Sequence, residues 1–107
     1  MGIKICEASS GIVLAEGELG TEVIGYEGNL YFAPPNVNQS VLRVTPRTYT
    51  CPYKGTCNWV DFHGPDGRTM TDVAWVYPQV KPGHEVIQGR FGFYAGTRGG
   101  TRQEVSS

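Results

Sequence analysis

The sequence has no excess of charge of either sign. Across 107 residues, nine Lys and Arg stand against ten Asp and Glu, for a formal net charge of −1. Without a basic stripe, binding to a phosphate backbone has no electrostatic driver, so no nucleic-acid partner is expected. No acidic tract marks a solvating tail. No apolar run approaches the ~20 residues of a membrane-spanning helix, so no membrane association is expected. The start, Met1-Gly2-Ile3-Lys4-Ile5-Cys6, carries no apolar signal-peptide core. Cys6 stands where an N-myristoylation signal wants Ser or Thr. These absences together set the expectation of a cytoplasmic protein. The Asn38-Gln39-Ser40 sequon then carries no meaning.

Cysteine is scarce and odd in number: Cys6, Cys51 and Cys57. In a reducing compartment all three are expected to be free thiols, with a reversible Cys51–Cys57 disulfide as the alternative. Cys51 and Cys57 are spaced C-x5-C, whereas structural zinc sites use C-x2-C loops that aim two thiolates at one ion. A third and fourth ligand would have to come from Cys6, His63 or His84, and no metal is expected. The sequence holds no P-loop and no dinucleotide fingerprint. Gly96-Thr97-Arg98-Gly99-Gly100 is glycine-rich, but no helix pattern follows it to supply an anion-binding N-terminus. No cofactor is expected.

What is present is fifteen Gly and seven Pro, spread among short segments rich in Val, Ile, Tyr and Phe. That pattern predicts a mainly β fold with turns every 8–12 residues or so. The length is that of one domain, 1–107, able to bury roughly 60–70 % of the surface its unfolded chain exposes. Strands are expected at Ile3–Cys6, Gly11–Glu16, Thr21–Tyr26, Leu30–Phe32, Leu42–Val44, Tyr49–Thr50, Thr56–Phe62, Thr69–Tyr77 and Phe91–Tyr94. Glu27-Gly28-Asn29 and Gly64-Pro65-Asp66-Gly67 read as hairpin turns. Asn36 is expected to cap a short helical turn over 37–41. Pro82 to Gln88, ended by Gly89, predicts the one short helix, near 81–88. From 97 to 107 the chain is polar and expected to fray.

Two stretches combine a rigid proline, aromatics and a reactive or charged side chain. The first is Thr50-Cys51-Pro52-Tyr53-Lys54-Gly55-Thr56. Pro52 fixes its own φ and pushes Cys51 toward extended geometry. Gly55 permits a sharp turn or a close approach to a ligand. Lys54 suits an anionic group as a point charge, or lowers the pKa of a Cys51 nucleophile. The plain alternative is a rigid turn with Cys51 buried and Lys54 solvated. A catalytic thiol also wants a histidine base, which His63 or His84 would have to supply. The second stretch is Ala74-Trp75-Val76-Tyr77-Pro78. Pro78 places Trp75 and Tyr77 at a strand end, where pockets open. Trp59, Phe91 and Phe93 are expected in the core. Asp61 and His63 share a strand face. With Asp66 they form an alternative metal or phosphoryl-transfer reading, but are better read as the polar face of an edge strand and, for Asp66-Gly67, as turn chemistry.

These motifs carry a resemblance. Tyr31-Phe32 before Pro34-Pro35, then Thr50-Cys51-Pro52-Tyr53-Lys54-Gly55, Asp72-Val73-Ala74-Trp75-Val76-Tyr77-Pro78, Ile87-Gln88-Gly89 and Phe93-Tyr94 occur in this order and spacing. Together they resemble the bacterial domain of unknown function 427 family, sometimes labelled nucleotidyltransferase-like. The resemblance runs from about Gly11 to Gly96. Tyr53 stands where that family usually has Trp, Cys57 replaces a small residue and Val80 a Pro. The resemblance implies a β-tent fold with a short helix and no established activity.

The reading that follows is a small antiparallel β domain that binds a small anionic or flat aromatic ligand. Its expected pocket comprises Tyr31, Cys51, Tyr53, Lys54, Gly55, Trp75 and Tyr77. The alternatives are an enzyme, nucleotidyltransferase-like or thiol-dependent, with Cys51 and Lys54 as the catalytic candidates, and a protein-interaction module that uses an exposed edge strand. Oligomeric state does not follow from the sequence.

Overall fold

A computed structural model describes all of residues 1–107 as two antiparallel sheets packed face to face. The strands are β1 (Gly2–Glu7), β2 (Val13–Glu18), β3 (Val23–Tyr26), β4 (Asn29–Phe32), β5 (Leu42–Cys51), β6 (Gly55–His63), β7 (Thr69–Val76), β8 (Phe91–Tyr94), β9 (Thr97–Arg98) and β10 (Thr101–Ser106). The smaller sheet has the order β2-β1-β10-β9 and the larger β3-β4-β8-β7-β6-β5. The mainly β expectation holds. No helix is long and apolar enough to cross a membrane.

Alternation explains both faces of the larger sheet. Successive side chains in a strand point to opposite sides. Leu30 and Phe32 of β4, Val60 and Phe62 of β6, Ala74 and Val76 of β7, and Phe91 and Phe93 of β8 face inward. There they meet Ile3, Ile5, Leu14 and Ala15 of the smaller sheet. Phe32 and Phe93 meet edge to face with ring centroids 5.7 Å apart, a contact worth ~0.5–1.5 kcal/mol beyond burial alone. Truncating Phe93 to Ala would cost ~3–5 kcal/mol. The intervening residues Tyr31, Cys57, Trp59, Trp75, Gly92 and Tyr94 therefore point the other way, to the outer face.

The structure corrects several local expectations. The helix near 81–88 is a single 3-10 turn, Glu85–Ile87. Seven residues are too few to hold a helix without tertiary help, and Gly83 at φ 98° breaks the approach. The amide of Gly89 bonds the Tyr77 carbonyl at 2.8 Å rather than capping a helix. The turn expected over 37–41 falls earlier, at Pro34–Asn36, because prolines are preset for the first position of a helical turn. Asn36 does not cap it; its carboxamide donates to the Glu16 carbonyl at 3.1 Å. The segments Leu42–Val44 and Tyr49–Thr50 are parts of one strand, β5, with a bulge between Val44 and Thr48. β5 is an edge of its sheet, where Pro46 is tolerated.

The largest correction concerns the tail. Residues 101–106 do not fray. They form β10, paired with β1 along its length from Gly2↔Ser106 to Glu7↔Thr101. Backbone hydrogen bonds need no apolar pattern, and most of these side chains face solvent. Thr101 alone is fully buried, its hydroxyl donating to the Arg98 carbonyl at 3.1 Å.

Candidate functional site

The outer face of the larger sheet carries one row of residues in register. Tyr31 pairs with Gly92, Gly92 with Trp75, and Trp75 with Trp59. Gly92 supplies the gap that lets the two rings flanking it lean together. A Cβ at Gly92 would lie 2.4 Å from Nε1 of Trp75 and 2.8 Å from a ring carbon of Tyr31. Across that gap the Trp75 indole N–H donates to the Tyr31 hydroxyl at 3.1 Å. Trp59 and Trp75 meet edge to face at 6.1 Å, and Tyr94 packs 4.9 Å from Trp75.

These rings wall a cavity of about 160 Å³. Tyr31, Trp59, Trp75 and Tyr94 form its aromatic part, with Tyr49 on the β5 side. Asn29, Lys54, Cys57 and Tyr77 complete it. The space is comparable to the ~150 Å³ cavity that accepts benzene in another protein, and smaller than the ~300 Å³ at which drug-sized sites begin.

The polar groups have defined states. Lys54 brings its ammonium to the wall and pairs with the Glu27 carboxylate at 2.6 Å. Burial pushes the Lys54 pKa down, but the Glu27 hydrogen bond and the negative charge that Glu27, Cys51 and Tyr31 can carry together outweigh it, the net shift is upward, and the group stays charged. The Glu27 carboxyl is held below its ordinary range, mainly by that same bond. Burial raises the pKa of the Tyr31 hydroxyl. Burial also raises that of Tyr77, and the neighbouring Cys57 adds to the rise. Both phenols are therefore hydrogen-bond donors at neutral pH. Burial raises the Cys57 thiol above its ordinary value.

Cys51 differs. Burial acts to raise its pKa, but the backbone N–H groups of Lys54 and Tyr53 and the Lys54 charge outweigh it, and the thiol is lowered. The cause is local: Cys51 pairs with Gly55 across a three-residue turn, which places its thiol beside the Tyr53 and Lys54 amides. The turn is clamped from outside. Lys81 donates from its amide to the Lys54 carbonyl at 2.8 Å and from its ammonium to the Pro52 carbonyl at 2.8 Å.

Of the seven residues expected to form the pocket, Tyr31, Lys54, Trp75 and Tyr77 line the cavity. Cys51 packs behind it in the same buried cluster as Cys57, Tyr77 and Ile87. Gly55, at φ 121°, lies in a neighbouring open groove with Gln79 and Val80, where a Cβ would meet the Gln79 carbonyl at 3.3 Å. Tyr53 is at the tip of the turn and 75 % exposed, so it does not line the pocket. The tip has no neighbouring strand to fold against. Asn29, Tyr49, Cys57, Trp59 and Tyr94 were not expected in the site. Trp59, assigned to the core, is half-buried on the outer face. The alternation Cys57, Trp59 and the step from Gly92 to Tyr94 were the signals for two of these strands.

The histidines lie elsewhere. His63 closes β6 at the end opposite Gly55, and His84 Nδ1 shares a hydrogen bond with the Tyr26 hydroxyl. Asp61 is not on an edge strand, since β6 lies between β5 and β7. It is buried at a bulge, bonded to Arg47 and, at 3.0 Å, to the Asp72 amide. Asp66 does serve the turn, accepting from the Arg68 amide at 3.0 Å. No group of three or more His, Cys, Asp or Glu side chains is arranged to hold a metal ion.

The sequence matches, over residues 2–104, a family model described as a domain of unknown function (DUF427) and labelled NTP_transf_9. The chain belongs to this family. A search of curated proteins found no match. The match extends beyond the 11–96 span expected from the motifs: it takes in β1 and most of β10. The smaller sheet is thus part of the family's domain. Those strands lack distinctive motifs, because their faces are either plain aliphatic core or solvent.

Proposed function

We propose that this DUF427 domain binds a small ligand with a flat ring and one anionic group in the cavity over Trp59 and Trp75. The observation that carries the reading is the convergence of a charged Lys54 with three aromatic residues packed edge to face on the outer face of the larger sheet. Rings supply edges and faces for a flat body, and the ammonium supplies a point charge for an acid. The domain acts as a binding or accessory module. Its three free thiols suit a reducing compartment, and a cytoplasmic location is proposed with it.

A thiol-dependent enzyme is the second reading, favoured by the lowered pKa of Cys51. It ranks below binding because His84 is engaged with Tyr26 and His63 stands at the far end of β6. The nucleotidyltransferase label receives no support from the site, whose lining brings together no acidic side chains to hold a phosphate-bridging cation.

The test is a set of calorimetric titrations with single-ring acids, comparing the native protein with Trp75→Ala, Lys54→Ala and Cys51→Ser. Binding predicts that the first two lose affinity and the third keeps it. Loss of turnover in Cys51→Ser with binding intact would select the enzyme instead.

A further inference from the structure

Lys54 does not present a free charge to the cavity. Its ammonium is occupied by Glu27, which reaches it from the β3–β4 hairpin. The pair is asymmetric: the Lys54 side chain is 17 % exposed and that of Glu27 is 48 % exposed. The cation thus belongs to the pocket, and the carboxylate arrives from the solvent side.

Glu27 is also an unusual residue for its place. Tyr26 pairs with Asn29, so Glu27 and Gly28 form a two-residue loop, with φ of 51° and 83°. Such loops take Asn, Asp or Gly first, because positive φ is strained for other side chains. The turn gains nothing from Glu. What Glu adds over Asp is one methylene of reach toward Lys54. A strained position retained together with a specific contact points to a role for the contact.

The remaining donors around Lys54 suit a carboxylate. The Tyr31 hydroxyl accepts from Trp75, which leaves its own O–H to donate. The half-buried Asn29 carboxamide adds a donor at the wall. The volume of about 160 Å³ is comparable to the space that one six-membered ring fills.

Resting on the binding-site reading, we propose that Glu27 holds the position of the ligand's own acid group. The cavity then selects an aromatic monocarboxylate, which enters by exchanging one carboxylate for another on Lys54. Glu27 is a specificity-determining residue: it shields the ammonium from small inorganic anions, and yields to an acid whose ring is held at the same time by Trp59 and Trp75. The exchange costs little because the displaced carboxylate is already half in water.

The experiment is a tryptophan-fluorescence titration with benzoate and with its neutral counterpart benzyl alcohol, on the native protein, Glu27→Gln and Lys54→Met. In Glu27→Gln, benzoate is expected to bind about threefold tighter, with benzyl alcohol unchanged. In Lys54→Met the preference for benzoate over the alcohol is lost. If the native protein binds both probes and Glu27→Gln leaves the ratio unchanged, Glu27 is not the stand-in and this inference falls while the pocket stands. If neither probe binds the native protein or Glu27→Gln, the binding-site reading falls, and the inference with it.

Discussion

The indole N–H of Trp75 bonds the hydroxyl of Tyr31 at 3.1 Å directly above Gly92. Two strands that do not touch, β4 and β7, are thereby joined over the third strand between them, β8. The floor of the cavity is built on that bridge.

Gly92→Ala should break it. The new methyl carbon would fall within 2.6 Å of two Trp75 atoms, and overpacking of this kind costs ~1–3 kcal/mol. In a domain of this size each kcal/mol lowers the melting temperature by ~4–8 °C. Thermal unfolding followed by tryptophan emission checks the loss. A melting temperature equal to that of the native protein would show that the row has slack.

Tyr31→Phe keeps the ring and removes the acceptor. The Trp75 N–H is then left buried without its partner, a cost of ~1–3 kcal/mol. The variant is expected to fold, to melt lower, and to lose affinity for acids more than for neutral rings. Urea denaturation together with ligand titration separates the two effects.

Glu7 gives a pH signature of the fold. It is buried at the β1–β2 turn and accepts from the Ser9 and Ser10 amides, both at 2.9 Å, and from the Ser9 hydroxyl. Burial acts to raise its pKa, but these bonds together lower it from 4.5 to about 2. A carboxyl whose folded pKa lies below its unfolded one stabilises the fold above the unfolded value, and that contribution is lost as pH falls from about 4.5 toward about 2. Glu7→Gln should cost ~2 kcal/mol at pH 7. The gap to the native protein should narrow across that acid window in urea-denaturation midpoints. A gap that stays constant from pH 7 to pH 3 would contradict the assignment.

The three thiols should separate by reactivity. Cys51 is lowered by turn amides and Lys54, while burial raises Cys6 and Cys57. Alkylation with iodoacetamide near pH 8, read by peptide mapping, should label Cys51 first, and with a midpoint below those of Cys6 and Cys57. Labelling of Cys57 ahead of Cys51 would contradict this order.

The β class, most strands and the two hairpin turns were legible because alternation and Gly or Asp turn chemistry are local signals. So was the nearness of Lys54 to Trp75 and Tyr77, which line one cavity. The rest depended on register. Trp59 alternates like a core residue, and only the pairing Trp59↔Trp75 shows which face it takes. Gly92 reads as a weak point in a strand until Tyr31 and Trp75 are seen on either side of it. The 101–106 tail is polar, so no hydrophobic pattern marks β10; its place is set by backbone pairing with β1 nearly a hundred residues away. Tyr53 illustrates the converse: a motif can be local while one of its side chains points out of the site.

The most direct test of the account follows the indole N–H resonances of Trp59 and Trp75 in a 15N-labelled sample while single-ring aromatic acids are added. The account predicts saturable shifts at both indoles, abolished by Lys54→Met and absent for inorganic phosphate. Aromatic acids that leave both indoles unmoved, or move only residues remote from the outer face of the larger sheet, would contradict it.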